Sequence, residues 1–211
     1  MARNTAAGNL EAHQASTGIR GGNSVIVDPA DGKIPYKPEA LAQRDQNFKL
    51  RSTADPVNKC FSPGVPRLTY MPYPIEFFAS PTQVSIVSEF AHTSRHVHLN
   101  KKGHYEEAEF WMGDARGRWE GNTLVVDTGN FNAETWLDAS GNFHSAQLNV
   151  VERFTRTSGD TILYEATLTD PEVYTRPWTI RMTLYRDRDP GAQIFEYECH
   201  AYLDDDKAAK K

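Results

Sequence analysis

The run Gly113–Thr128, near the middle of the chain, restricts the possible folds more than any other stretch. It reads Gly-Asp-Ala-Arg-Gly-Arg-Trp-Glu-Gly-Asn-Thr-Leu-Val-Val-Asp-Thr. Gly121-Asn122 sits between two strand-like arms, and a two-residue loop containing Gly favours a type I′ or II′ hairpin turn. With those residues as the loop, Glu120 faces Thr123, Trp119 faces Leu124, Arg118 faces Val125 and Arg116 faces Asp127. Alternation then puts Trp119, Leu124, Gly117 and Val126 on one face and Arg116, Arg118, Glu120 and Asp127 on the other. The first face requires a core. The second can neutralise its charges across the ladder. Trp119 alone of the hairpin is placed to touch a cavity.

The rest of the chain supplies partners for that hairpin. Strand patterns are expected at Ser24–Val27, Ile75–Ala79, Gln83–Ala91, Ser94–Leu99, Leu148–Thr157, Thr161–Thr169, Trp178–Arg186 and Gln193–Tyr202. Further turns fall at Ser158-Gly159-Asp160 and at Asp187–Ala192. The one convincing helix pattern is Glu39–Leu50, with Pro38 near its start. Ala54–Pro74 is too rich in proline for central sheet, and predicts a rigid, aromatic wall over a cavity mouth. Sequential hairpins with almost no helix predict an all-β antiparallel meander. Because open edges are hazardous, the meander is expected to close into a lipocalin-like barrel with an interior cavity. The domain plan is a polar arm over 1–23, a single barrel domain over 24–203 (a wrapping segment 24–74, then strands 75–203) and a charged tail over 204–211.

Composition sets outer limits. The 211 residues fit one large domain, and 39% hydrophobic residues are enough for a core and too many for disorder. The 28 acidic and 23 basic residues are mixed along the chain, so no basic stripe points to nucleic acid. No apolar run reaches the roughly 18 residues of a membrane span. Met1–Gly22 lacks the apolar centre of a signal peptide, which leaves a cytoplasmic protein or a mature form whose leader has been replaced by Met1. The arm is expected to be ordered only where it docks, either on its own chain or across to a second copy in a homo-oligomer. Cys60 and Cys199 are far apart and lack metal or redox spacing. Two buried thiols and one disulfide both remain open on spacing alone.

Chemistry-bearing residues gather in three places. In Ser88–His98, alternation turns Glu89 and Arg95 inward, where each needs a partner: the other, or a ligand oxygen. His92 lies between them. His96 and His98 form a His-x-His pair able to chelate a metal, although Val97 and Leu99 put the pair on the outer face, where it would be solvated. The connection Asn130–Gln147 is longer than most loops and carries Trp136, Asp138, Phe143, His144 and Ser145. An Asp that orients a His makes imidazole a general acid or base near neutral pH, so Asp138 and His144 are candidate catalytic groups. A structural hydrogen bond and a plain Asp turn are the alternatives. In Val150–Phe154, Glu152 shares a face with Val150 and Phe154 and is expected inward. Tyr73, Tyr174, Trp119, Trp136 and Phe143 are candidates to line a ligand. No phosphate loop, Gly-x-Ser-x-Gly elbow or dinucleotide fingerprint is present, so no cofactor is implied.

At Gly113–Thr128 and again at Thr135–Phe154 the chain resembles a large family of exported bacterial proteins, most without an assigned function. Its members read Met-Gly-x-Ser-x-Gly-Arg-Trp-Glu-Gly-Asp-Thr-Leu-Val-Val-Asp-Thr, then Trp-x-Asp-x-x-Gly-x-x-His-Ser, then Glu-Arg-Phe. Here the match runs through Met112, Gly113, Gly117–Gly121, Thr123–Thr128, Trp136, Asp138, Gly141, His144, Ser145 and Glu152–Phe154. The Cys60–Arg67 segment, Asp170-Pro171 and Glu198-Cys199 are similar to family features as well. Ala115 stands where the family has Ser, and Asn122 where it has Asp. The resemblance implies a periplasmic or secreted location, with cytoplasmic as the second choice, and a Cys60–Cys199 disulfide. It implies no particular activity.

Two functions compete. One is a cofactor-free acid–base enzyme, a lyase, isomerase, dehydratase or hydrolase, acting on a small apolar or aromatic oxygenated molecule. In it His144 moves the proton, Asp138 orients it, Arg95 stabilises oxyanion charge, and Glu89 or His92 is the second acid–base group. The other is a carrier whose barrel encloses a small lipophilic molecule. The number of titratable residues exceeds what a carrier needs and favours the enzyme. Convergence of His144, Asp138, Arg95 and Glu89 on one cavity is the geometric requirement.

Overall fold

The computed structural model describes residues 2–3, 8–12 and 24–202. Its strands are β1 (Ala2–Arg3), β2 (Ile26–Asp28), β3 (Ile75–Ala79), β4 (Gln83–Ser88), β5 (Ser94–His98), β6 (Asp114–Glu120), β7 (Thr123–Gly129), β8 (Asn149–Arg156), β9 (Thr161–Thr169) and β10 (Trp178–Arg186). The long helix among the described residues, α1, spans the 17 residues Pro38–Ala54. The tail 204–211 and most of the arm expected over 1–23 lie outside the described residues.

The strands from β2 to β10 form one mixed sheet in the order β3-β4-β5-β6-β7-β8-β9-β10-β2. Ala2 of β1 pairs with Ile75 of β3 and with Arg186 of β10, and Arg3 pairs with Tyr185. The sheet curls: Phe77 on β3 meets Phe154 on β8 with ring centroids 5.5 Å apart, although four strands separate them in the ladder. One join departs from the expected meander. β5 and β6 run parallel, paired at Val97↔Ala115 and His98↔Arg116, because the chain crosses back through 99–113 instead of turning in a hairpin.

The central hairpin has the register its sequence dictates, with Glu120↔Thr123, Trp119↔Leu124, Arg118↔Val125 and Arg116↔Asp127. Its outer face also carries a charge ladder, since Glu120 binds both Arg118 and Arg153 at 2.8 and 3.0 Å. Those two arginines lie opposite Val125 from either side, and Val125 is fully buried although it points outward. Long arginine stems can cover an apolar neighbour while their heads stay wet. Trp119 keeps the expected face, opposite Leu124, but not the expected burial: it is 53% exposed. The β5–β6 pairing ends at Arg116, so the hairpin runs past its neighbour and no β5 residue pairs beside the indole. Gly117 sits where a Cβ would come within 2.5 Å of Val97 Cγ1, which is why this join tolerates no side chain.

The inner face is filled from within. The segment Val65–Met71 is buried throughout, and Arg67–Tyr70 forms a 3₁₀ turn on the inner face. The Thr69 hydroxyl bonds to the Tyr164 phenol of β9, and the Tyr70 hydroxyl donates to the Leu137 carbonyl at 2.6 Å. The proline-rich stretch therefore plugs the space the sequence reading left hollow, instead of walling a mouth. Buried Arg67 is held by a bidentate pair to Asp55, both bonds 2.8 Å.

The expected last strand is not formed. After β10 the chain has no ladder partner over 193–198 and begins a helical turn at Cys199. Instead of pairing, this strap lies across the β3–β4 end, held by the Cys60–Cys199 disulfide.

Candidate functional site

The loop 130–148 owes its order to two acids. Asp138 is fully buried and accepts from the amides of Leu10 (3.0 Å), Ser140 (3.0 Å) and Asn142 (3.2 Å) and from Asn142 Nδ2 (2.7 Å). Burial raises its pKa, and the Leu10 and Asn142 bonds oppose the rise. Asp170 accepts from the Ser145 amide and hydroxyl at 2.6 and 2.8 Å. His144 lies between these anchors with both ring nitrogens engaged. Nδ1 is 2.8 Å from the Ser145 carbonyl, which can only accept, so Nδ1 carries the proton. The Nε2 lone pair then accepts the Thr135 hydroxyl at 2.7 Å. Burial lowers the His144 pKa, against smaller opposing effects of the Ser145 carbonyl and Asp170. Thr135 in turn is packed against Gly64, where φ is +77° and any Cβ would fall 2.4 Å from the hydroxyl. Asp138 and His144 thus serve different partners.

Arg95 is buried on the inner face of β5. It donates to Thr128 Oγ1 at 2.6 Å and pairs closely with Glu152, which is itself fully buried and receives the Tyr164 hydroxyl at 2.9 Å. Tyr164 is pushed well above the usual tyrosine range, first by burial and then by Glu152. The expected inward Glu152 is therefore present, and Arg95 pairs with it instead of with Glu89. Glu89 lies at the foot of a 3₁₀ turn and accepts from the Phe195 amide of the strap at 3.0 Å. Its turn holds Ala91 and His92 at positive φ, 47° and 50°, and exposed His92 bonds Glu198 at 2.8 Å. Strain of that kind persists only where surrounding contacts over-determine it. Here those contacts come from the strap.

The aromatic candidates also separate. Tyr73 packs on Phe90 and Tyr197 under the strap. Phe143 stacks on Tyr36, pairs with Trp136 in an isolated bridge, and accepts the Tyr174 hydroxyl at its carbonyl. Exposed His96 bonds Ser85 and Gln83, and His98 is half-buried with its pKa lowered mainly by desolvation. No group of three or more His, Cys, Asp or Glu side chains converges as a metal site among the described residues. The candidate catalytic residues read from sequence therefore occupy three places: the loop 130–148, the inner charged cluster and the turn under the strap.

The opening that sequence reasoning missed lies where β3 approaches the β9–β10 edge. A cleft of about 270 Å³ is lined by Ile75, Phe77, Ile162 and Leu184, with Arg156 and Arg186 at its rim. Phe77 leads inward through Phe154 to Tyr164, at 5.5 and 4.9 Å between rings. A shallower, more polar cleft of about 780 Å³ adjoins it along 186–194 and shares Glu76, Asp160 and Arg186. A third, of about 600 Å³, lies between 106–109 and the outer side of the 130–148 loop. The signal for the first was available. The alternation that buries Val150, Glu152 and Phe154 reaches Arg156, and the one that buries Trp178, Ile180, Met182 and Leu184 reaches Arg186.

Comparison with family models, with curated proteins and with solved structures finds no match to this chain. No helix among the described residues is long and apolar enough to cross a membrane.

Proposed function

We propose that this chain binds a small, largely apolar molecule at one end of a lipocalin-like barrel, a reading supported by the pairing of Ala2 with both β3 and β10. The observation that carries the reading is the cleft between Ile75, Phe77, Ile162 and Leu184, whose Phe77 ring contacts buried Phe154. Ligand sites are typically concave, with an apolar lining and polar groups that fix orientation, and here the four apolar residues are accompanied by Glu76, Arg156, Ser158, Asp160, Thr161 and Arg186. Acid–base catalysis fits less well. It would require His144 to leave two good hydrogen bonds, and Glu89, Arg95 and Asp138 each answer to separate partners. The disulfide fits an oxidising compartment. Together with the resemblance to exported bacterial proteins, it supports a periplasmic or secreted carrier.

The test is a calorimetric titration with octan-1-ol, a neutral molecule of the cleft's size. Saturable one-to-one binding is expected for the native chain, and loss of it for Ile162→Trp, which fills the cleft. Absence of saturable binding, or equal binding by a folded Ile162→Trp variant, would remove the proposal.

A further inference from the structure

We propose that the cleft selects an anion: an apolar body carrying a carboxylate head, seated with the head between Arg156 and Arg186. The inference rests on the binding reading above and names the ligand class of that same site.

The placement of the two arginines comes from strand alternation. On β8 the inward positions are Val150, Glu152 and Phe154, and the next is Arg156. On β10 they are Trp178, Ile180, Met182 and Leu184, and the next is Arg186. Arg156 is paired with Ile162 in the β8–β9 ladder, and the Arg186 amide donates to the Asp160 carbonyl, so both arginines stand at the same end of the sheet. Outward surface arginines are ordinary. Two arginines on inward positions above an apolar floor are not, because the acid on the same face of β8, Glu152, is already paired with Arg95.

Both cations are open to a ligand. Arg156 commits only Nε, to the Ser158 carbonyl at 3.1 Å. The Arg186 side chain makes no hydrogen bond or ion pair with any described residue. The lining also holds two acids, Glu76 and Asp160, and neither side chain bonds Arg156 or Arg186 among the described residues. Asp160 is paired with Arg188, and Glu76 lies opposite Val87, on outward positions of the β3–β4 ladder. Inside, Arg95 is already matched by Glu152, so the interior adds no competing attraction for an anion.

A guanidinium presents a rigid fork of donors that fits a two-oxygen head, whereas a neutral hydroxyl engages one donor. Room decides the body. A volume of about 270 Å³ holds roughly nine heavy atoms at about 30 Å³ each, one water's share of the liquid. Octanoate has that size with its head left at the rim, and octan-1-ol is its neutral counterpart.

Calorimetric titration of the full, disulfide-bonded chain with each of the two compounds tests the assignment. Octanoate is expected to bind at least tenfold more tightly than octan-1-ol, with an affinity that weakens as salt rises while that of the alcohol does not. The double variant Arg156→Gln/Arg186→Gln should bind both compounds alike, near the native affinity for the alcohol. Equal native affinities would overturn the anion selectivity and leave the binding reading standing. An octanoate preference that survives in the double variant would remove the role of these arginines. If neither compound binds the native chain, the binding reading falls with it.

Discussion

The Leu10 amide donates to Asp138 Oδ2 at 3.0 Å, joining positions separated by 128 residues. Around it the Leu10 carbonyl accepts from the Val25 amide and the Ser24 hydroxyl, and Ser140 Oγ donates to the Gly8 carbonyl. Leu10 itself is fully buried. The described part of the N-terminal arm therefore docks on its own chain, and Asp138 is the clamp that holds it. The carboxylate expected to orient a catalytic histidine instead holds two segments of the chain together.

Asp138→Ala is expected to cost about 2–4 kcal/mol, because it leaves buried amides at Leu10 and Asn142 without acceptors. Urea unfolding measures the loss, and amide exchange locates it. Leu10 and Val25 should lose protection before any residue of β8 or β9. Uniform loss across the sheet would show that the clamp is not local.

His144 gives the fold an acid-sensitive element. Its native pKa lies below the ordinary histidine value of about 6.5, so between those two values the unfolded chain binds the extra proton and the native chain does not. Stability therefore falls as pH drops below about 6.5, by up to about 1.4 kcal/mol per pH unit while the native ring stays neutral. Asp138 acts in the opposite sense at lower pH. Its raised pKa makes the native state the better proton acceptor there, giving stability that is lost as pH rises through the raised value. Unfolding curves at closely spaced pH values should show a shallower acid limb above pH 5 in His144→Gln than in the native chain. Parallel limbs would assign the sensitivity elsewhere.

How much of this was legible in the sequence depends on the range of the interaction. The central hairpin was readable residue by residue because a two-residue turn fixes register and alternation fixes face. β3, β9 and β10 have the bounds their patterns give. Trp119 failed because exposure depends on where the neighbouring strand stops, which no local pattern encodes. The strap failed for a similar reason. Its apolar residues alternate like a strand, but the disulfide and the Tyr73–Tyr197–Phe90 contacts hold it elsewhere. Residues 65–71 were expected to wall a cavity because nothing in a Pro-rich stretch says which side of a sheet it will fill. At the site, Glu152 was placed inward correctly, yet its partner came from β5. Pairing across a curled sheet follows topology, not spacing.

The buried Arg95–Glu152 pair yields a sharper energetic prediction. Each group is desolvated, so removing one leaves the other uncompensated at about 3–5 kcal/mol. Glu152→Leu should be severely destabilised, since it also removes the acceptor of the Tyr164 hydroxyl proton. Arg95→Met/Glu152→Leu should recover more than half of that loss. A double-mutant cycle in denaturant measures the coupling. Additive losses would mean that the pair is not coupled, and would assign the cost to Tyr164 and Thr128.

The strap is the last element whose attachment can be separated from the sheet. It is held at four points: Phe195 to Glu89, Tyr197 against Tyr73, Glu198 to His92, and the Cys60–Cys199 bond. The three noncovalent contacts are wholly or partly exposed. The His92–Glu198 pair is wet on both sides, which limits it to about 0–1 kcal/mol. The disulfide closes a 139-residue separation, for which the chain-entropy relation gives about 5 kcal/mol as an upper figure. Cys60→Ser/Cys199→Ser should therefore lose up to about 5 kcal/mol in global unfolding. Locally, amides over 193–199 should exchange far faster while those of β8 and β9 keep their order of protection. If the reduced protein retains slow exchange over 193–199, the noncovalent contacts hold the strap by themselves, and the disulfide acts only on the unfolded chain.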